Sequence, residues 1–251
     1  DGIRTAIKFS CNTYYSQLFK RIIGQKKYHG NTEEAYNEWR DYLISFGLNQ
    51  QLNEEGFSER SGWVPQAKAF NKLYGSGRWK APTIISLSVG QGELLLTPLQ
   101  IANMYSVVAN KGYYITPHIV KKVGEDLAFE AAFYERKYTP IEEKYFEPIM
   151  EGLEEVMEEG TGKTSKIEGI RMGGKTGTAE NPHGEDHSVF AGIAPLDHPE
   201  IAICVFVENS GYGSAWAAPI ASLMTELYLV DSISDKRKWL EKKMLEGSLI
   251  K

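Results

Sequence analysis

Gly173-Gly174-Lys175-Thr176-Gly177-Thr178-Ala179-Glu180 sets one cation between glycines and small hydroxyl residues. Glycines let a second backbone come close, so the stretch suits a strand at a sheet edge. There an extended peptide can pair with it while the lysine faces the chemistry. Working outward, Ile170 to Glu180, Ser188 to Ala194 and Ile201 to Glu208 read as three strands joined by turns rich in Pro, Gly, Asp and Asn. Pro195-Leu196-Asp197-His198-Pro199 is a hairpin-sized link, so the second and third strands are expected to be antiparallel neighbours. Ala217 to Val230 reads as a core-facing helix, and the tail after Asp231 is charged and amphipathic.

Upstream the pattern is helical. Ile3, Ala6 and Ile7 share one face, Ser10 to Asn12 make a polar break, and Tyr14, Tyr15, Leu18, Phe19 and Ile22 supply a second face that Gly24 closes. Asn31 can cap a helix with Glu34 reaching back, and Tyr36, Trp39, Leu43 and Phe46 follow at helical spacing up to Gly47. Residues 48–82 read as a long, mostly irregular surface segment with exposed aromatics Trp63, Tyr74 and Trp79. Thr97-Pro98-Leu99-Gln100 is a strong helix start, with a Thr cap, Pro at the first position and Gln at the third. A β-prone segment covers Tyr113 to Val123, and an amphipathic helix runs from about Ile141 to Met157. Helices first, then a meander, then a closing helix give an α+β layer architecture, with an antiparallel sheet packed against helices.

At 251 residues and 42% hydrophobic content, the chain can bury one large core or two modest ones. A net charge of −5 argues against nucleic acid as the main partner, because no basic excess exists to neutralise phosphates. Cys11 and Cys204 make no disulfide framework, and Cys204, in an apolar run, reads as a small buried hydrophobe. The longest apolar run, Ile201 to Val207, is far too short to span a bilayer. The opening Asp1-Gly2-Ile3 already carries helical spacing, which suggests a piece cut from a larger protein.

Four segments in order carry a resemblance: Ser10-Cys11-Asn12-Thr13-Tyr14-Tyr15, Gly90-Gln91-Gly92 with Thr97-Pro98-Leu99-Gln100, Lys175-Thr176-Gly177-Thr178-Ala179, and Asp186 to Pro195. Together they resemble the transpeptidase domain of class B penicillin-binding proteins, especially the elongation branch. The resemblance implies a partial transpeptidase domain over 1–251. Its segments would be 1–160, mainly helical with the loop 48–82, then 161–230 with strands and closing helix, and 231–251 as tail. It implies serine acyl transfer on D-alanyl-D-alanine stem peptides of peptidoglycan, with β-lactam antibiotics as mimics and neither metal nor organic cofactor. Ser10 would relay a proton with help from Lys175, and Asn12 would hydrogen-bond the substrate amide. Thr176 and Thr178, with Lys175, would hold the terminal carboxylate. Gly177 would admit the guest backbone, and the Thr178 N–H would serve an oxyanion hole. Cell-elongation membrane proteins would be partners, and the whole protein would be anchored on the wall-facing side of the membrane.

The family's Ser-x-x-Lys nucleophile is expected before Ser10, but the only literal match is Ser248-Leu249-Ile250-Lys251, in the wrong order. The isolated chain is therefore expected to be inactive. A penicillin-recognising sensor or a non-catalytic peptide-binding relative stays open as an alternative. Gly169 to Thr176 also fits G-x-x-x-x-G-K-[ST], but that phosphate loop needs a helix beginning near Lys175, where Gly177 and Asn181-Pro182 are poor helix material. His183, Asp186 and His187 read as a polar turn rather than a metal site.

Overall fold

The computed structural model describes residues 2–52, 58–120, 124 and 134–249. The helices are α1 (Ile3–Lys8), α2 (Asn12–Ile23), α3 (Thr32–Ser45), α4 (Ala67–Tyr74), α5 (Pro98–Ala109), α6 (Glu147–Glu158), α7 (Ala217–Val230) and α8 (Lys238–Glu246). The strands are β1 (Tyr113–Ile115), β2 (Arg136–Tyr138), β3 (Gly173–Ala179), β4 (His187–Ala194) and β5 (Ile201–Val207). They divide between two units, one formed by Asp1–Ser10, Val108–Lys111 and Glu143–Lys251, the other by Cys11–Val107 and Gly112–Glu142.

In the first unit β3, β4 and β5 form an antiparallel sheet in that order, with Lys175 opposite Ala191 and Ala191 opposite Cys204. Among the described residues β3 has a strand neighbour on one side only. Phe190 of β4 is fully buried in a core shared with Met157, Met172, Ile203, Ala217, Ala218 and Ala221. The three alanines let α7 come close to the sheet, and burying a ring such as Phe190 contributes about 2–3 kcal/mol. On β3, a Cβ at Gly174 would stand only 2.2 Å from that ring, so glycine is required there by packing. The short α1 lies against α6, where Arg4 pairs with Glu151 and Glu155. Arg237, just before α8, is buried on Glu226 and Ser222 of α7.

The second unit is organised by aromatic packing. Tyr36, Phe70 and Trp79 are buried together with Phe19, and Trp39 packs on them. Tyr36 meets Phe70 and Trp79 edge-on at ring separations of 5.2 and 5.7 Å, a geometry the ring quadrupoles favour. Asn31 caps α3 by accepting from the Glu34 N–H at 3.2 Å. At α5 the capping box is reciprocal: the Gln100 N–H donates to Thr97 Oγ1 at 3.2 Å and the Thr97 N–H donates to Gln100 Oε1 at 3.1 Å. Gln100 is wholly buried, and its amide nitrogen donates to the carbonyls of Gln50 and Ser61. Strands β1 and β2 form a separate antiparallel pair.

Several expectations need correction. The segment 48–82 contains α4, and Trp79 is buried at 1% exposure, held by its indole N–H on Asn71 Oδ1 at 2.7 Å; Trp63 and Tyr74 are exposed. Residues 53–57 of that segment lie outside the described residues. The β-prone segment from Tyr113 yields only Tyr113–Ile115, and 121–123 lie outside the described residues. The helix expected from about Ile141 begins at Glu147, after a 3-10 turn at Glu143–Tyr145. The tail contains α8, and Cys204 is half-buried because β5 exposes part of one face. Of the Ser248 to Lys251 match, residues 250 and 251 lie outside the described residues.

Candidate functional site

Ser10 follows the end of α1 by two residues. Its φ of 52° lies in the left-handed region, which an L residue with a side chain occupies at a cost of about 1–2 kcal/mol. That turn breaks the helix and sets the Ser10 hydroxyl against Lys175 of β3. The Lys175 ammonium donates to Ser10 Oγ and, at 2.7 Å, to the carbonyl of Thr176. Burial disfavours the charged form, so the Lys175 pKa falls from the ordinary 10.5 to about 8. At neutral pH the group is thus a cation with one proton close to release, hydrogen-bonded to a hydroxyl.

The rest of β3 presents two further hydroxyls. Thr176 Oγ1 shares a hydrogen bond of 2.7 Å with Thr161 Oγ1, and Thr178 Oγ1 accepts from the Gly213 N–H at 3.4 Å. Between them, a Cβ at Gly177 would meet only Val189 at 3.5 Å, an ordinary contact. Neither packing within the protein nor a positive φ demands glycine there, unlike at Gly174. Ser10, Lys175, Thr176, Gly177 and Thr178 all belong to the first unit. Asn12 is the exposed first residue of α2, in the second.

Thr161 was not legible beforehand. It stands alone after Gly160, outside any periodic run, and its partner lies fifteen residues on. Residues 173–179 form a strand, so the phosphate-loop reading of Gly169 to Thr176 lacks the helix it needs. In the polar turn Asp186 Oδ1 accepts from the Asn181 N–H, while His187, the first residue of β4, accepts at Nδ1 from the Asn209 N–H. Among the described residues no group of three or more His, Cys, Asp or Glu is placed to hold a metal ion. A cation, three hydroxyls and a strand edge that no other strand pairs with among the described residues can hold a carboxylate, pair with an extended peptide and relay a proton.

Residues 2–226 match the penicillin binding protein transpeptidase domain family. The chain belongs to that family. Within it the relatives are class B penicillin-binding proteins. This transpeptidase domain is 28% identical over 247 residues to the peptidoglycan D,D-transpeptidase MrdA of Acinetobacter baumannii, covering 91% of this chain and 34% of that protein. It thus spans about a third of the length of that relative. Pseudomonas aeruginosa PBP2 in complex with WCK 5153 superimposes with a TM-score of 0.77 at 25% identity, over 94% of this chain and 50% of that one. A chain from a peptidoglycan synthase complex, described for the structural coordination of polymerization and crosslinking, gives a TM-score of 0.71 at 27% identity, over 94% of this chain and 39% of that one. The fold is therefore the α+β fold of penicillin-binding transpeptidase domains.

Proposed function

We propose that the transpeptidase domain serves peptidoglycan cross-linking by serine acyl transfer on D-alanyl-D-alanine stem peptides. The observation that carries this reading is the hydrogen bond to Ser10 from Lys175 of β3, a strand with a neighbour on one side only among the described residues. The donor peptide adds to β3 as an extra strand, with Gly177 admitting its backbone. Thr176 and Thr178, with Lys175, hold its terminal carboxylate, and the Thr178 N–H takes part in the oxyanion hole. A single oxyanion donor of this kind lowers the barrier by about 3–4 kcal/mol. Asn12 binds the substrate amide. As the acyl bond forms, the departing D-alanine amine needs a proton. Ser10 passes one to it from the side of Lys175, whose lowered pKa makes the transfer possible near neutral pH.

The attacking serine is the part of the machinery that Ser10 does not supply. Within these 251 residues only Ser248 to Lys251 has the Ser-x-x-Lys spacing, and it follows the other motifs instead of preceding them. We therefore assign the nucleophile to the whole protein and expect the isolated chain to be inert. The whole protein works at the wall-facing side of the cytoplasmic membrane with cell-elongation partners. The likeness to a chain of a peptidoglycan synthase complex supports this. Among the described residues no helix is long and apolar enough to cross a membrane.

The test is turnover of a D-alanyl-D-alanine peptide with an acceptor amine by the whole protein, run beside labelling with a fluorescent penicillin. Cross-linked product together with labelling is expected. Labelling without cross-linking would turn the assignment toward a sensor, and neither would remove it.

A further inference from the structure

The segment Glu159-Gly160-Thr161, which follows α6, touches both sides of the Ser10–Lys175 pair. Glu159 Oε2 accepts from the Lys8 ammonium at 2.5 Å, two residues before Ser10. Lys8 is well enclosed, its side chain only 15% exposed. A Cβ on Gly160 would stand 2.7 Å from the Lys8 carbonyl oxygen, so the missing side chain lets the end of α1 close onto this segment. One residue further, Thr161 Oγ1 bonds Thr176 Oγ1 at 2.7 Å, and Thr176 is the neighbour of Lys175 in β3.

These contacts matter because neither partner is fixed by its own element. α1 has six residues, too few to be stable as an isolated helix, and Ser10 lies beyond its end in a strained turn. β3 has strand hydrogen bonds on one side only among the described residues. We propose that Glu159-Gly160-Thr161 is a clamp that sets the separation of the Ser10 hydroxyl and the Lys175 ammonium. Glu159 and Thr161 are its positioning residues, and Gly160 is the spacer that admits α1. The link to catalysis rests on the reading of Ser10 and Lys175 as reacting groups; the clamp itself rests on the geometry alone.

The clamp adds little to overall stability. Glu159 is 73% exposed, and such an ion pair is screened by water and salt. Its effect is alignment, and misplacing reacting groups by about 1 Å costs about 100-fold in rate. Loosening it also admits water to the lysine, whose lowered pKa depends on burial.

Two readouts distinguish alignment of the pair from its chemistry. The first is the titration midpoint of Lys175, followed by NMR of protein carrying carbon-13 lysine. The second is the rate of acylation by a fluorescent penicillin in the whole protein. In Glu159→Gln combined with Thr161→Val, the Lys175 midpoint is expected to rise by about one pH unit toward that of a solvated lysine. Acylation is expected to fall about 10-fold or more while thermal stability changes little. Thr161→Ser alone, which keeps the hydroxyl and leaves Glu159 in place, is expected to leave both readouts near their unaltered values. Gly160→Ala is expected to act in the same direction as the double variant; should it fail to fold, the other variants, which add no bulk, still decide. An unmoved Lys175 midpoint in the folded double variant would overturn the clamp. Failure of the unaltered protein to acylate would instead overturn the functional reading and leave the midpoint to judge the clamp.

Discussion

At the scale of single residues, Lys175 and Ser10 each carry a cost that the fold sustains. The Lys175 pKa is about 8 in the folded protein against 10.5 ordinarily, so between those values the unfolded chain binds more protons than the folded one. Folding stability must then rise as pH increases from 8 to 10.5, and below 8 the full burial penalty is present. Urea denaturation of wild type and Lys175→Met at pH 7 and 9.5 is expected to show wild type gaining about 1–2 kcal/mol on the variant over that interval. A constant difference would mean that the ammonium is not buried. Ser10 adds backbone strain at φ 52°. Ser10→Gly is expected to be about 1 kcal/mol more stable than Ser10→Ala, since both lose the hydroxyl and only glycine relieves the turn. Equal melting curves would argue against the left-handed conformation. The sequence named both residues through the Ser-x-Asn and Lys-Thr-Gly spacings. It could not show the strain or the buried ammonium, because each arises only when α1 and β3 are packed.

At the scale of elements, local chemistry decided what could be read in advance. The caps at Asn31 and Thr97 and the bounds of α7 follow from residues adjacent in sequence, and they were legible. So were the three strands of the first unit, whose turns are marked by Pro, Gly and Asp. What escaped depends on distant partners. Trp79 looks like a surface aromatic until Asn71 of α4 takes its indole N–H and Tyr36 its ring face. Helix α4 itself is eight residues long, too short for its spacing to stand out from a loop. Gln100 was expected only as a cap residue, yet its amide also satisfies two carbonyls of the 48–62 segment. Gln100→Ala is therefore expected to destabilise the second unit by about 2–4 kcal/mol, since a wholly buried amide is removed together with its cap bond and both of these long-range hydrogen bonds. Thr97→Ala is expected to cost only about 1 kcal/mol. Denaturation followed by tryptophan fluorescence measures both, and equal losses would show that the long-range bonds are unimportant.

At the scale of the whole molecule, the two units have separate cores, one built around Phe190 and the alanines of α7, the other around Tyr36, Phe70 and Trp79. Composition spoke to this scale only loosely: 251 residues fit one large core or two modest ones. The net charge of −5 predicts no general affinity for nucleic acid, while Lys175 is the one basic residue of β3. Incubated with a labelled β-lactam, the isolated chain is expected to show no mass increase, because the Ser-x-x-Lys spacing occurs only at Ser248 to Lys251. A stoichiometric adduct would show that some serine within it attacks. The most direct measurement is the pH dependence of penicillin acylation by the whole protein, compared with its Ser10→Ala and Lys175→Met forms. The rate of the unaltered protein should respond to a group titrating near pH 8, and either substitution should slow acylation by about 100-fold or more. Acylation at an unaltered rate in both variants would contradict the assignment of these two groups to the chemistry.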